Sequence, residues 1–327
     1  VAWTTCQGLE TIIVEGTATT DRICGTSRLT VLSGLNAPVL AVTDPDANGT
    51  RYLGGKFTAI DAYDSGGEAV ATVSTNSLDL RFPKVSGTVY ASASDGSGGF
   101  YIGGTFTSVN GTTRNRAAHL LSDGTLDSNW NPNVNGAVDA IAVSGTTVYL
   151  GGAFTTVSGV TRNRAAAVGT DGTLLAWNPS VVGGDVNAIA VVGSAVYLGG
   201  GFTSVAGSTR NYLASVGTDG TLLAWDPAPN NTVGAIVASG NTLYIGGKFT
   251  TIAATTRNYL AAIGTDGTLL SFNPNPNQRV NAIALSGSTM YIAGDFASVG
   301  GNARVRVAAV GTNGTVTEVD PNFRTRG

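Results

Sequence analysis

The chain has 327 residues, a formal net charge of −3 and only 12% charged residues. With just three lysines (Lys56, Lys84 and Lys248), it carries neither the charge for nucleic-acid binding by counterion release nor a polybasic membrane patch. Its 46 glycines are about double the usual share, and no 18-residue apolar stretch occurs, so the composition describes strands and tight turns without a membrane span.

Residues 1–36 come first. The chain begins at Val1, which reads as a processed or internal start. Cys6 and Cys24 are its only cysteines. Oxidised, they form one disulfide closing a short loop, worth about 3 kcal/mol in the chain-entropy model; reduced, they are two free thiols. The otherwise extracellular character of the composition favours the disulfide. With His119 the single histidine and no further thiol, a metal centre built on these cysteines is disfavoured. Leu9–Gly16 and Arg28–Gly34 read as strands. The segment is too short to be a full repeat and has three readings: a divergent extra blade, a clasp on the last blade, or a strand given to another molecule.

From residue 37 onward the chain repeats itself. Tyr52, Tyr101, Tyr149, Tyr197, Tyr244 and Tyr291 each precede a small-residue pair, and their spacings of 49, 48, 48, 47 and 47 residues define repeats one to six. Each repeat holds four strand-like runs. The first alternates, as in VNAIAV from Val186. The second is the tyrosine run VYLGGGF, and the third is a small-residue run such as RAAAVG from Arg164. An Asp-Gly pair follows (Asp171-Gly172, Asp219-Gly220, Asp266-Gly267), a strong hairpin signal because both positions tolerate positive φ. The fourth run, TLLAWNP, ends at a proline that cannot donate to a ladder. Four antiparallel strands at this period predict an all-β fold: a closed β-propeller of six four-stranded blades over residues 37–327, or seven if residues 1–36 supply one. Each sheet has two apolar faces and hides neither alone. The recurrent glycine pair is expected to let neighbouring backbones approach.

The motif Y-[LI]-G-G-x-F-T-[ST]-[VI], followed by T-R-N-[RY]-[AL]-A and G-T-D-G-T-L-x-x-W-[ND]-P, resembles the bacterial delta-sixty type β-propeller repeat family. It is also similar to the repeats of fungal cortical polarity marker proteins. Repeat one departs from it, with YLGGKFTAI at Tyr52–Ile60 but neither T-R-N nor W-N-P. The resemblance implies a secreted or surface-exposed propeller and carries over no catalytic residues.

Five arginines recur in register: Arg114, Arg162, Arg210, Arg257 and Arg304. They form either a guanidinium ring for an acidic ligand or, as their presence in every such repeat favours, ties from a loop to the neighbouring blade. Trp130, Trp177, Trp225 and Phe272 share one position and read as blade packing before a sugar platform. Asp44, Asp46 and Asn48 have calcium-loop spacing, but Gly55 stands where the twelfth-position glutamate belongs; a polar hairpin turn is the alternative. Asp61 and Asp64 are the one carboxylate pair to consider for hydrolysis, against a solvated loop. His119 occupies a slot held by Ala167 in repeat three and reads as an ordinary side chain. Asn48, Asn110, Asn230 and Asn313 head N-x-T sequons.

These features point to a non-enzymatic, extracellular propeller acting at a cell surface as a structural or binding module, with a layer or filament subunit as its specific form. Its partners are then proteins, further copies of itself, or glycans, without a cofactor other than the calcium considered above. The alternatives are a glycan-active enzyme or a lectin-like binder using the propeller mouth.

Overall fold

The computed structural model describes residues 83–317 throughout and, before them, the backbone of six strands: Thr11–Val14, Ile23–Gly25, Val39–Val42, Thr50–Gly55, Glu68–Thr72 and Ser77–Asp79. All regular structure among them is β. The chain divides into two compact units, Val1–Val138 and Asp139–Gly327.

In the first unit Thr11–Val14 pairs antiparallel with Ile23–Gly25, with a bulge between Ile12 and Val14. The apolar run expected as a strand therefore closes a local hairpin. Repeat one forms a four-stranded sheet in chain order, from Val39–Val42 to Ser77–Asp79. In repeat two Val89–Ser94, Phe100–Gly104 and Ala117–Leu120 form a three-stranded sheet with the tyrosine strand in the middle. Val89, Phe100, Ile102, Phe106, Ala118 and Leu120 make its core.

The second unit stacks repeats three to six, and repeat four shows why this sequence folds so. Val186–Val192 and Ala195–Gly200 pair as a hairpin, and Leu213–Gly217 adds to the other side of the tyrosine strand. That middle strand is buried from Val196 to Gly200, as the unbroken small and apolar run Val-Tyr-Leu-Gly-Gly requires. A Cβ on Gly199 would lie 2.8 Å from Val233 Cγ1 and 3.0 Å from Ile236 Cδ1 of the next repeat. A Cβ on Gly200 would lie 2.0 Å from the carbonyl oxygen of Asp185, in its own repeat. The glycine pair thus serves two contacts: the first glycine receives neighbouring side chains, and the second lets strands of one sheet close. Tyr149, Tyr197 and Tyr244 are all but covered, whereas Tyr291 of the last repeat is 41% exposed, and Ala293 stands there in the first glycine's place.

Between the second and third strands lies a small hairpin that the four-run reading omits. In repeat four it is Ser204–Val205 paired with Ser208–Thr209. Its two turn residues, Ala206 (φ 51°) and Gly207 (φ 76°), are both left-handed, as a two-residue hairpin turn demands. Just before the hairpin, Phe202 is fully buried, like Phe106, Phe154, Phe249 and Phe296 in the other repeats.

The fourth run does not become a strand in repeats two to six. In repeat four it makes a single bridge, Leu222 to Val216, with Leu223 N donating to Ser215 O at 3.0 Å. Two contacts then draw it away. Arg210 Nη2 donates to Leu223 O at 3.3 Å, and the Trp225 indole N–H donates to Gly264 O of repeat five at 3.1 Å. A residue committed to the next repeat cannot also continue its own ladder.

Candidate functional site

The recurring side chains are consumed internally. Arg162 donates from Nη1 to Thr161 O and from Nη2 to Leu175 O, both at 2.9 Å. Arg257 repeats this with Thr256 and Leu270, and Arg304 with Ala303 and Thr317. Arg114 does so with Thr113 and Asp127. Each arginine thus ties the small hairpin to the fourth run of its own repeat, a correction to the expected tie to a neighbouring blade. The reach is thirteen residues along the chain, which a guanidinium fork spans within one repeat.

The indoles do join neighbours. Trp177 donates to Gly217 O at 2.9 Å and sits edge-on to Tyr149. Trp225 sits edge-on to Tyr197 at 4.9 Å, and Phe272 to Tyr244 at 5.2 Å. These rings are buried packing, as expected, and offer no open stacking face. The Asp-Gly aspartates hold their own turns: Asp171 accepts from Thr173 N and Oγ1, Asp219 does so from Thr221, and Asp266 from Thr268 N. These hydrogen bonds from threonine keep the three carboxyls below their ordinary pKa.

Repeat two holds a polar cluster that has no counterpart at the same positions in repeats three to six. The His119 ring stands between two carboxylates, Nδ1 at 2.9 Å from Asp127 Oδ2 and Nε2 at 3.2 Å from Asp95 Oδ2. It also stacks on Tyr101, with centroids 4.1 Å apart and planes 13° from parallel. The His119 and Asp95 side chains are each 8% exposed and that of Asp127 17%. Burial pushes both carboxyls up, but hydrogen bonds outweigh it and leave each below its ordinary pKa: from Ser97, His119 and Gly99 for Asp95, and chiefly from His119 and Asn129 for Asp127. Burial, joined by the charges of Asp95 and Asp127, pushes the Tyr101 hydroxyl up to about 12. Chemically the cluster is a clamp. Both ring nitrogens face carboxylates, and the nearby Ser97 hydroxyl donates to Asp95, so the geometry lacks the serine–imidazole contact of an activated nucleophile. Sequence reasoning took His119 as ordinary. The available signal was that Asp127 replaces Leu175 of repeat three, and Asp95 lies in a lengthened hairpin, within the same repeat.

In repeat four the position of His119 is taken by Ser215, and a cleft of about 410 Å³ opens there. Ala195, Tyr197, Ser215, Leu223, Trp225 and Asp226 line it, with Asp266 from the next Asp-Gly turn. Ser215 Oγ is fully buried without a well-formed hydrogen bond, although the Tyr197 hydroxyl is near enough to feel it. Asp226 is 39% exposed and lies 3.6 Å from Arg210 Nη1.

The other predicted site residues divide in two. Asn110, Asn230 and Asn313 are exposed. The Asn230 amide donates to Thr250 Oγ1 at 2.9 Å, and Asn313 Oδ1 accepts from Thr315. Asp44, Asp46, Asn48, Asp61, Asp64 and Cys6 lie outside the described residues, as does the Cys24 side chain. Among the described residues, no group of three or more His, Cys, Asp or Glu is placed to hold a metal, and no helix is long and apolar enough to cross a membrane.

The all-β repeat sheets define a fold of the β-propeller type. A family model described as a β-propeller domain of unknown function, DUF5122, matches residues 98–129. The sequence matches no curated protein. Among solved structures, the chain is similar to the computationally designed Ika8 protein, at 15% identity and a TM-score of 0.53, covering 89% of each chain. It is also similar to a chain of a nidogen–laminin complex, at 10% identity and a TM-score of 0.50, covering 75% of this chain and 84% of that one. At these identities the likeness is one of fold.

Proposed function

We propose that this protein is a non-enzymatic, extracellular β-propeller of six blades, one per repeat, serving as a structural or binding module at a cell surface. The observation that carries this reading is the internal use of the recurring arginine, tryptophan and Asp-Gly aspartate side chains. The arginines bond to carbonyls of their own repeat, the indoles to carbonyls of the next, and the turn aspartates to their own threonines. Repetition is spent on architecture, which is what a scaffold requires. The Cys6–Cys24 disulfide, glycans on Asn48, Asn110, Asn230 and Asn313, and calcium at Asp44–Asn48 belong to the same reading, as does the resemblance to secreted propeller repeats. In its specific form the chain is a subunit of a layer or filament, with residues 1–36 making the contact.

Electron microscopy of native material and of a chain lacking residues 1–36 tests the reading. Ordered polymer from the full chain and none from the truncated one supports it. Identical assembly states would remove the filament form. Turnover of a glycan substrate, abolished in an Asp61→Asn, Asp64→Asn variant, would replace the scaffold with an enzyme.

A further inference from the structure

The junction between repeats five and six holds a cleft of about 350 Å³, and no residue that lines it carries a charge. Asn258, Tyr259, Asn275 and Asn277 of repeat five line it, with Ser298 and Gly301 from the small hairpin of repeat six. These groups are within reach of a ligand: Asn275, Asn277 and Gly301 are exposed, and Asn258, Tyr259 and Ser298 are half-buried. Backbone bonds fix the base of the cleft. Pro276 bridges to Val299, Asn277 N donates to Ser298 O at 3.0 Å, and Gly300 N donates to Asn275 O at 3.3 Å.

The side-chain amides are oriented as well. Asn258 Nδ2 donates to Asn275 Oδ1 at 2.8 Å, which leaves Asn258 Oδ1 as an acceptor and the Asn275 NH2 as a donor. Asn277 Oδ1 accepts from Ala297 N at 2.9 Å and from Ser298 N at 3.1 Å. In repeat four the equivalent Asn230 accepts the same two bonds and also donates its NH2 to Thr250 Oγ1. Repeats one to five all carry threonine at that place (Thr58, Thr107, Thr155, Thr203 and Thr250), but repeat six carries Ala297. The Asn277 NH2 has therefore lost that acceptor. The tyrosine is in unusual company too. Repeats two, three and six have Arg116, Arg164 and Arg306 in its place, and repeat four, which has Tyr212, has Ala228 where repeat five has Asn275. Among repeats two to six, only repeat five joins the ring to the amide pair.

The cleft thus offers two amide NH2 donors, an amide oxygen, a hydroxyl that both donates and accepts, and an aromatic side chain. No lining side chain would pair with an ionic ligand. An extended peptide would seek free backbone groups, but Pro276 has no N–H and those of Asn277 and Gly300 are taken. Neighbouring hydroxyls, each donor and acceptor at once, on a ring whose C–H face packs against an aromatic side chain, match the set. The volume lies at the small end of ligand pockets. We propose that this cleft binds a neutral sugar, with its ring against Tyr259 and its hydroxyls on Asn258, Asn275, Asn277 and Ser298. The site goes beyond the scaffold role, and its failure would leave that role standing.

The test is a titration of the full chain with the methyl glycosides of glucose, galactose, mannose and N-acetylglucosamine, followed by the Asn277 side-chain amide resonances. A second arm uses neutral oligosaccharides, and a third uses short uncharged peptides. Tyr259→Arg, Asn275→Ala and Ala297→Thr each introduce the residue that a sibling repeat carries at that place, so the fold should stand. Tyr212→Arg makes the first of these changes in repeat four. Saturable sugar binding that weakens about tenfold or more in Tyr259→Arg and Asn275→Ala, weakens in Ala297→Thr and is unchanged in Tyr212→Arg supports the site. Tighter binding of oligosaccharides than of glycosides supports it with the end of a glycan as the source; equal or weaker binding of oligosaccharides supports it with a free sugar as the source. Absence of saturable binding in both sugar arms overturns it, as does sugar binding indifferent to the Tyr259 and Asn275 variants. Peptide binding that those variants abolish, without sugar binding, overturns it in favour of a peptide site.

Discussion

Repeat two and repeat four depart from the shared pattern at the same place and in opposite ways. In repeat two the added groups answer one another: a ring between two carboxylates, with each carboxylate also held by backbone N–H groups. In repeat four the added hydroxyl is buried without a well-formed hydrogen bond, and the added carboxylate faces Arg210 at 3.6 Å. The difference teaches that a departure from a repeat is either balanced by its neighbours or leaves a buried group short of partners. A buried polar group without partners costs free energy, so a chain that keeps one without a use forgoes stability that its own siblings show to be available.

Removing the balance should have the largest effect. His119→Ala leaves Asp95 and Asp127 facing a void without the group that both contact, and should cost about 2–4 kcal/mol in chemical denaturation. It should also change the acid limb. Both carboxyls are held below their ordinary pKa, so their contribution is complete above about pH 4 and is lost as pH falls through the lower folded values. The variant should show a shallower decline there, and an unchanged slope would break the comparison.

Repeat three offers an unbalanced departure of another kind. Asp139 stands where repeats four and six have Asn187 and Asn281, and burial, with Asp185 nearby, pushes its carboxyl up to about 6. A raised carboxyl pKa favours the protonated folded state, so the ionised group costs stability at pH 7, and the wild-type chain should gain stability as pH falls from about 7 towards 4. Asp139→Asn should therefore raise stability at pH 7 by about 1–2 kcal/mol, allowing for partial exposure, and remove most of that gain on acidification. A destabilised variant would show that the carboxylate has a partner or a use.

Smaller effects sharpen the frame that both repeats share. Trp225→Phe keeps the ring against Tyr197 but loses the bond to Gly264 O, and should cost about 1 kcal/mol in melting experiments. Repeat five carries Ala253 (φ 44°) and Ala254 (φ 61°) in its small hairpin turn, where its siblings place glycine second. Ala254→Gly should stabilise by about 0.5–1 kcal/mol, since the left-handed conformation is free only to glycine.

The repeat and its strands were legible because alternation, tyrosine spacing and Asp-Gly turns are local signals. The small hairpin was equally legible in principle, since Asn110-Gly111 and Ser158-Gly159 are turn pairs, but runs as short as Thr156-Val157 give no periodicity to read. The fate of the fourth run was not legible. Whether TLLAWNP continues a sheet depends on where an indole forty residues from its acceptor finds a carbonyl, and no local pattern encodes that. The candidate sites were the least visible. His119 and Ser215 are each a change at one strand position, and their meaning lies in neighbours across the strand pair: Tyr101 opposite the first, Tyr197 opposite the second.

One joint in the second unit differs from the rest. Repeats three and four are each fastened to the following repeat by an indole N–H, but repeat five presents Phe272, which packs without donating. In an array whose cohesion is a sum over adjoining pairs, the junction with one fewer bond is where separation begins. Under mechanical load or partial denaturation, repeat six should come away first, and its amides should exchange with solvent ahead of those of repeats three to five.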